Sequence, residues 1–214
     1  MKIGLIGAGK MGLSIALKLS KHHNVIVHDI NIKRIDEARG KKLNCFLHLE
    51  EFIDALNSPK KIWLMVGHGM IVDKLLTKLI PFLTSKDIII DGGNANFLDT
   101  IKRRHILDRK QIGFLGSGTS GGVTSINEKL AICVDGPKWA YDIVADVFNL
   151  ISYNHTYLEK PGKGHLAKII HNAIEYGMMQ SIAEGVSLYH HYGFDEKEIK
   201  NIFSTWSEGS IIQS

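Results

Sequence analysis

Short apolar runs alternate with helix-period stretches through the first two thirds of the chain. The runs Lys2–Gly7, Asn24–Asp29, Lys61–Val66, Asp87–Asp91, Gln111–Leu115, Leu130–Asp135 and Ser152–Tyr157 predict strands. Amphipathic segments between several of them, such as Met11–His22, Met70–Leu83 and Phe97–Arg109, predict helices. Continuous apolar strands alternating with helices imply a parallel sheet covered on both faces, so the fold class is α/β with a doubly wound sheet. Shorter or mixed connections join the last strands, which leaves room for antiparallel pieces at the end of the sheet.

The pattern changes after Pro161-Gly162. From His165 to Tyr192 no proline interrupts a long helical stretch, and Gly177 and Gly185 are isolated within it. A second helix, opened by Asp195 and running to about Thr205, follows a turn at Gly193. A boundary near Glu159–Lys163 divides the chain into a sheet domain over 1–160 and the first part of an all-α domain over 161–214. Two helices cannot enclose much core. The helical part therefore reads as incomplete, or as completed by a partner chain.

Composition narrows the function classes. The 214 residues allow one full domain and part of another, and 44% hydrophobic content describes a soluble chain able to bury a core. A net charge of +4 without a basic block gives no support to nucleic-acid binding. The opening run MKIGLIGAG is too short for a signal peptide, and no apolar stretch reaches the roughly 18 residues of a membrane span. The expected setting is cytoplasmic. Cys45 and Cys133 lie in separate strand-like segments without CxxC or Cys/His spacing, so free thiols are expected, with neither a disulfide nor a metal site.

Candidate chemistry begins at the first turn. Gly7-Ala8-Gly9-Lys10-Met11-Gly12 reads GxGxxG, directly after a strand and opening a helix. The first glycine permits the tight turn, the second lets backbone approach a pyrophosphate, and the third allows close helix–strand packing. The anion would then rest on the free N–H groups and positive end of the helix. Asp29 ends the second strand, 22 residues beyond Gly7, where a carboxylate accepts hydrogen bonds from ribose hydroxyls and repels a 2′-phosphate. Lys33 and Arg34 lie close enough to soften that discrimination. The expected cofactor is NAD rather than NADP.

Two more segments follow strands on the side where ligands gather in open α/β sheets. Asp91–Asn96, DGGNAN, offers close backbone approach at Gly92-Gly93 and an amide at Asn94. Gly116–Gly122, GSGTSGG, offers the Ser120 hydroxyl and the backbone of Gly121 and Gly122. Both also suit ordinary turns. Further on, a helix over GKGHLAKIIHNAIEYGMMQ places Lys168, Asn172 and Glu175 on one face, at spacings of four and seven residues. An amine, an amide and a carboxylate on one rigid element can exchange protons with a bound alcohol.

These residues resemble a known group. Gly162, Gly164, Lys168 and Asn172 look like the catalytic-helix signature of the β-hydroxyacid dehydrogenases. The fuller run from His165 to Gln180 resembles, within that superfamily, the decarboxylating 6-phosphogluconate dehydrogenases. DGGN with Asp99-Thr100, the stretch Gly118–Gly122, and Trp206 with Gly209–Ile212 are similar to further motifs of that family. Asp29 and the glycine turn look most like its short, NAD-preferring branch. The resemblance implies a Rossmann-type domain followed by a helical one, a homodimer, and a phosphorylated sugar acid as substrate. It implies oxidation at C3 of 6-phosphogluconate, then loss of CO2 to give ribulose 5-phosphate. Lys168 would be the base and Glu175 the acid. Asn94 would serve both cofactor and substrate. Ser120, Gly121, Gly122, His171, Asn172 and Tyr176 would hold substrate.

The sequence departs from the family at two points. Gln213 stands where the family carries an arginine for the sugar phosphate, and an amide replaces a bidentate guanidinium poorly. Gly67 and His68 differ from the usual residues near the nicotinamide. Two alternatives stay open: a dehydrogenase of another β-hydroxyacid such as 3-hydroxyisobutyrate, or a truncated non-catalytic NAD-binding protein.

Overall fold

A computed structural model describes residues 1–121 and 130–206. The chain divides into two units, residues 1–168 and 169–214.

The first unit is built on a sheet of β1 (Lys2–Ile6), β2 (Asn24–His28), β3 (Asn44–Phe46), β4 (Lys61–Leu64), β5 (Ile88–Asp91), β6 (Gly113–Ser120), β7 (Leu130–Asp135) and β8 (Ser152–Leu158). The spatial order is β3-β2-β1-β4-β5-β6-β7-β8. Pairing is parallel from β3 through β6, antiparallel between β6 and β7, and parallel again between β7 and β8. The order reverses direction beside β1, which leaves a crevice at the carboxyl ends of β1 and β4, the switch point of a doubly wound sheet.

Helices α1 (Lys10–Leu19), α2 (Ile32–Gly40), α3 (Leu49–Asp54), α4 (Met70–Leu79), α5 (Phe97–Asp108) and α6 (Lys138–Ile151) connect the strands. They cover both faces, and the core falls into two clusters accordingly. One joins β1 and β5 residues such as Leu5 and Ile90 to Ile15 and Leu19 of α1 and Val144 and Phe148 of α6. The other gathers Phe52, Leu64, Val72, Leu76 and Phe114. Every residue of β5 is buried, as expected of a strand covered twice. Each fully buried isoleucine there contributes about 1.5–3 kcal/mol of burial free energy.

Sequence and structure differ in three places. The strand expected at Gln111–Leu115 begins instead at Gly113, because Gln111 adopts φ 57° and closes a turn. That strand then continues through Ser120, so Gly116–Thr119 are strand rather than loop, held by antiparallel pairing with β7. Short β3 and α3, three and six residues long, were not legible as separate elements.

Helix α7 (Lys163–His191) starts in the first unit, where Gly162 turns into it at φ 80°. Its remainder forms the second unit with α8 (Glu196–Thr205). Asp195 and Glu198 make a reciprocal capping box at the start of α8, and Tyr189 meets Phe194 and Phe203 edge-on. Among the described residues no helix is long and apolar enough to cross a membrane.

Candidate active site

The glycine turn joins β1 to α1 in a shape only glycine allows. Gly7 has φ 104°, and a Cβ there would stand 2.3 Å from the Met65 carbonyl oxygen. A Cβ on Gly12 would stand 1.9 Å from the Gly7 carbonyl oxygen, so the first turn of α1 packs directly on the preceding turn. Gly9 differs: nothing lies within 4 Å of its would-be Cβ. It is the N-cap of α1 with no side-chain cap, and the first turn carries no acid. The exposed N–H groups and dipole of α1 therefore face open space, as a pyrophosphate requires. Ala8, Lys10 and Met11 complete that turn.

Asp29 is buried just beyond β2. The Ala8 N–H donates to its Oδ2 at 2.7 Å and the Asn31 N–H to its Oδ1 at 2.8 Å, while Arg34 Nη1 stands 3.4 Å from Oδ2. The carboxylate thus braces the glycine turn from behind as well as lining the crevice. Asn31 caps α2 by accepting from the Lys33 N–H at 3.0 Å. A cavity of about 480 Å3 opens here, lined by Gly7, Asp29, Ile30, Arg34, Val66 and Ile71 among others. Its volume and position suit an adenosine moiety.

At the end of β5, Gly92 and Gly93 run close to neighbouring strands. Their would-be Cβ atoms stand 2.3 Å from Trp63 Nε1 and 3.0 Å from the Val66 carbonyl oxygen. Asp91 is buried and paired with Arg103, which also donates to Asp73 at 2.7 Å and to the Gly69 carbonyl at 2.9 Å. One guanidinium therefore ties the loop after β4 and the start of α4 to the end of β5. Asn94 emerges exposed from this frame.

Lys168 Nζ donates to Asn94 Oδ1. The amine is half-buried, and burial lowers its pKa below that of an ordinary lysine. Two residues 74 apart in sequence thus meet across the crevice. One turn earlier, buried His165 bonds through Nδ1 to Thr100 Oγ1 at 2.8 Å. Burial lowers the pKa of this imidazole too, which keeps it neutral.

Ser120 is half-buried at the end of β6, and Gly121 follows it with φ 118°. Gly122 lies outside the described residues, as do Gly209–Ile212 and Gln213. His171, Asn172, Glu175 and Tyr176 belong to the second unit on the continuous helix α7. His171 Nδ1 stands 3.7 Å from Glu175 Oε2 one turn away. The sequence pattern singled out Thr100 only as part of a family-like motif and did not mark Arg103 or Asp135 as site residues. Asp135 carried a faint signal, as an acid at a strand end before Gly136-Pro137.

A glycine turn on an uncapped helix at the switch point, with a depressed lysine amine on the neighbouring crevice wall, defines an NAD(P)-dependent oxidoreductase. Residues 2–158 match the family described as the NAD binding domain of 6-phosphogluconate dehydrogenase, and residues 164–214 match its C-terminal domain. The chain belongs to the 6-phosphogluconate dehydrogenase family.

The NAD(+)-dependent, decarboxylating 6-phosphogluconate dehydrogenase of Haloferax volcanii is 32% identical over 100% of this chain and 72% of its own length. The decarboxylating enzyme of Staphylococcus aureus is 35% identical over 98% of this chain, which spans 48% of that protein. The structure of Plasmodium falciparum 6-phosphogluconate dehydrogenase, described with NADP+ and with 6-phosphogluconate, superposes with a TM-score of 0.91 at 29% identity, over 100% of this chain and 50% of that one. A Mycobacterium tuberculosis 3-hydroxyisobutyrate dehydrogenase superposes at 0.86 with 18% identity, over 99% of this chain and 72% of that one, a likeness of fold alone.

Proposed function

We propose that the chain catalyses oxidative decarboxylation of 6-phosphogluconate to ribulose 5-phosphate and CO2, using NAD. The observation that carries this reading is the Lys168 amine, depressed by burial and seated on Asn94 Oδ1. A lysine base must be uncharged when substrate arrives, and its ordinary pKa of about 10.4 opposes that. Burial moves it the required way.

Gly7–Gly12 would hold the pyrophosphate, and Asp29 would select a free ribose over a 2′-phosphate. The bound nicotinamide supplies a hydride acceptor. Lys168 takes the C3 hydroxyl proton as the hydride leaves C3, giving a β-keto acid. As the bond to CO2 breaks, its electron pair moves toward the C3 oxygen, and Lys168 returns the proton there. Glu175 then protonates the carbon that lost CO2. Asn94 orients the amine, while Ser120, Gly121, Gly122, His171, Asn172 and Tyr176 hold the sugar acid. A homodimer is the expected assembly.

The test is turnover of 6-phosphogluconate with NAD while NADH and CO2 are measured together. The expected result is one CO2 per NADH, with Lys168→Ala losing both yet binding NAD normally. NADH without CO2 would transfer the assignment to another β-hydroxyacid. NAD binding with no hydride transfer would leave a non-catalytic binding protein.

A further inference from the structure

We propose that Asp135 is a positioning residue for Lys168: its carboxylate locks the first turn of α7 onto the ends of β6 and β7 and so sets where the amine stands. This rests on the reading of Lys168 as the base.

Asp135 ends β7 and is 1% exposed. Its Oδ1 accepts from the Gly162 N–H at 3.1 Å and its Oδ2 from the Gly164 N–H at 2.9 Å. These are among the free N–H groups that open α7, so the carboxylate meets both unpaired donors and the positive end of the helix dipole. No side chain separates the helix start from the sheet. A Cβ on Gly164 would stand 2.6 Å from the Cys133 carbonyl oxygen and 2.8 Å from that of Gly116. A Cβ on Gly116 would stand 2.5 Å from Asp135 Oδ2. The turn is therefore fixed laterally by backbone contact and axially by Asp135. Lys168 follows Gly164 by one turn, a rise of about 6 Å, so movement at the clamp passes directly to the amine.

The clamp works only in the ionised form. Both oxygens face N–H donors, and a neutral carboxyl would turn one acceptor into a donor facing another donor. The groups facing it are the α7 N–H groups, the backbone of Gly116 on β6, and the Arg104 guanidinium of α5, all of which favour the charge. Burial outweighs them and pushes Asp135 up to about 6. Both bonds are therefore complete only above about pH 6, where the carboxylate is ionised.

The test is Asp135→Asn in the whole chain, which keeps the shape and removes the charge. Turnover of 6-phosphogluconate should fall roughly 10- to 100-fold in kcat, with NAD affinity changed by less than about twofold. Amide exchange over residues 164–168 should accelerate. The part of the wild-type acid limb of kcat that titrates near 6 should disappear in the variant while the part set by protonation of Lys168 remains, which a purely structural tie would not produce. Unchanged kcat together with unchanged exchange overturns the proposal. If the variant fails to fold, the wild-type Gly162 and Gly164 amide proton shifts decide: both titrating together near pH 6 supports the clamp, and neither titrating there overturns it. Absence of wild-type turnover would sink the assigned reaction but leave the exchange and amide-shift results to judge the clamp.

Discussion

Gly118 offers the sharpest perturbation of the site, because its substitution changes spacing and little else. Its φ lies outside the left-handed region, so alanine brings no backbone strain. The new Cβ would stand 2.1 Å from the Gly164 carbonyl oxygen and 3.0 Å from Lys168 Cβ. Ordinary contact begins near 3.4 Å, so β6 and the first turn of α7 must separate by about 1.3 Å. The obstacle is backbone on both sides, and no flexible side chain can yield instead. Overpacking of this kind costs about 1–3 kcal/mol of stability. Displacing a catalytic group by about 1 Å costs on the order of 100-fold in rate. Gly118→Ala should therefore fold, bind NAD with unchanged affinity at the Gly7–Gly12 turn, and lose roughly 100-fold in kcat. Steady-state NADH production and calorimetric NAD titration measure the two quantities. Near-normal kcat in a folded variant would refute the claim that close contact between β6 and α7 places Lys168.

Two further predictions concern the acids. Asp29→Ala leaves the Ala8 and Asn31 N–H groups without their acceptor, which should cost about 1–3 kcal/mol in urea unfolding and weaken NAD binding; an unchanged midpoint would contradict the bracing role. Asp135 rises on folding from 3.8 to about 6, so between those values the folded chain holds more protons than the unfolded one. Stability should then fall as pH rises through that window, by about 3 kcal/mol for this group, and Asp135→Asn should flatten the slope in pH-dependent unfolding.

Much of the fold was legible because its signals are local. The all-apolar run Ile88–Ile90 and the turn Gly7–Gly12 declare a buried parallel strand and a phosphate-type turn within a few residues. Gly116–Ser120 misled because Gly, Ser and Thr serve turns and strands alike. What makes this segment a strand is its pairing with β7, a long-range condition. Its glycines are there to admit α7, which explains a composition that resembled a ligand loop. In the site, the helical spacing of Lys168 and Glu175 could be read directly. The meeting of Lys168 with Asn94 depends on how α7 starts against the sheet, and the residue that fixes that start, Asp135, sits in an unremarkable strand end.

The central claim is that the Lys168 amine sheds its proton more readily than a solvated lysine. Its titration can be followed by NMR in protein carrying 13C-labelled lysine, with Lys168→Arg identifying the resonance. A midpoint clearly below that of the surface lysines is the predicted result. A midpoint equal to or above theirs would contradict the account of Lys168 as the base.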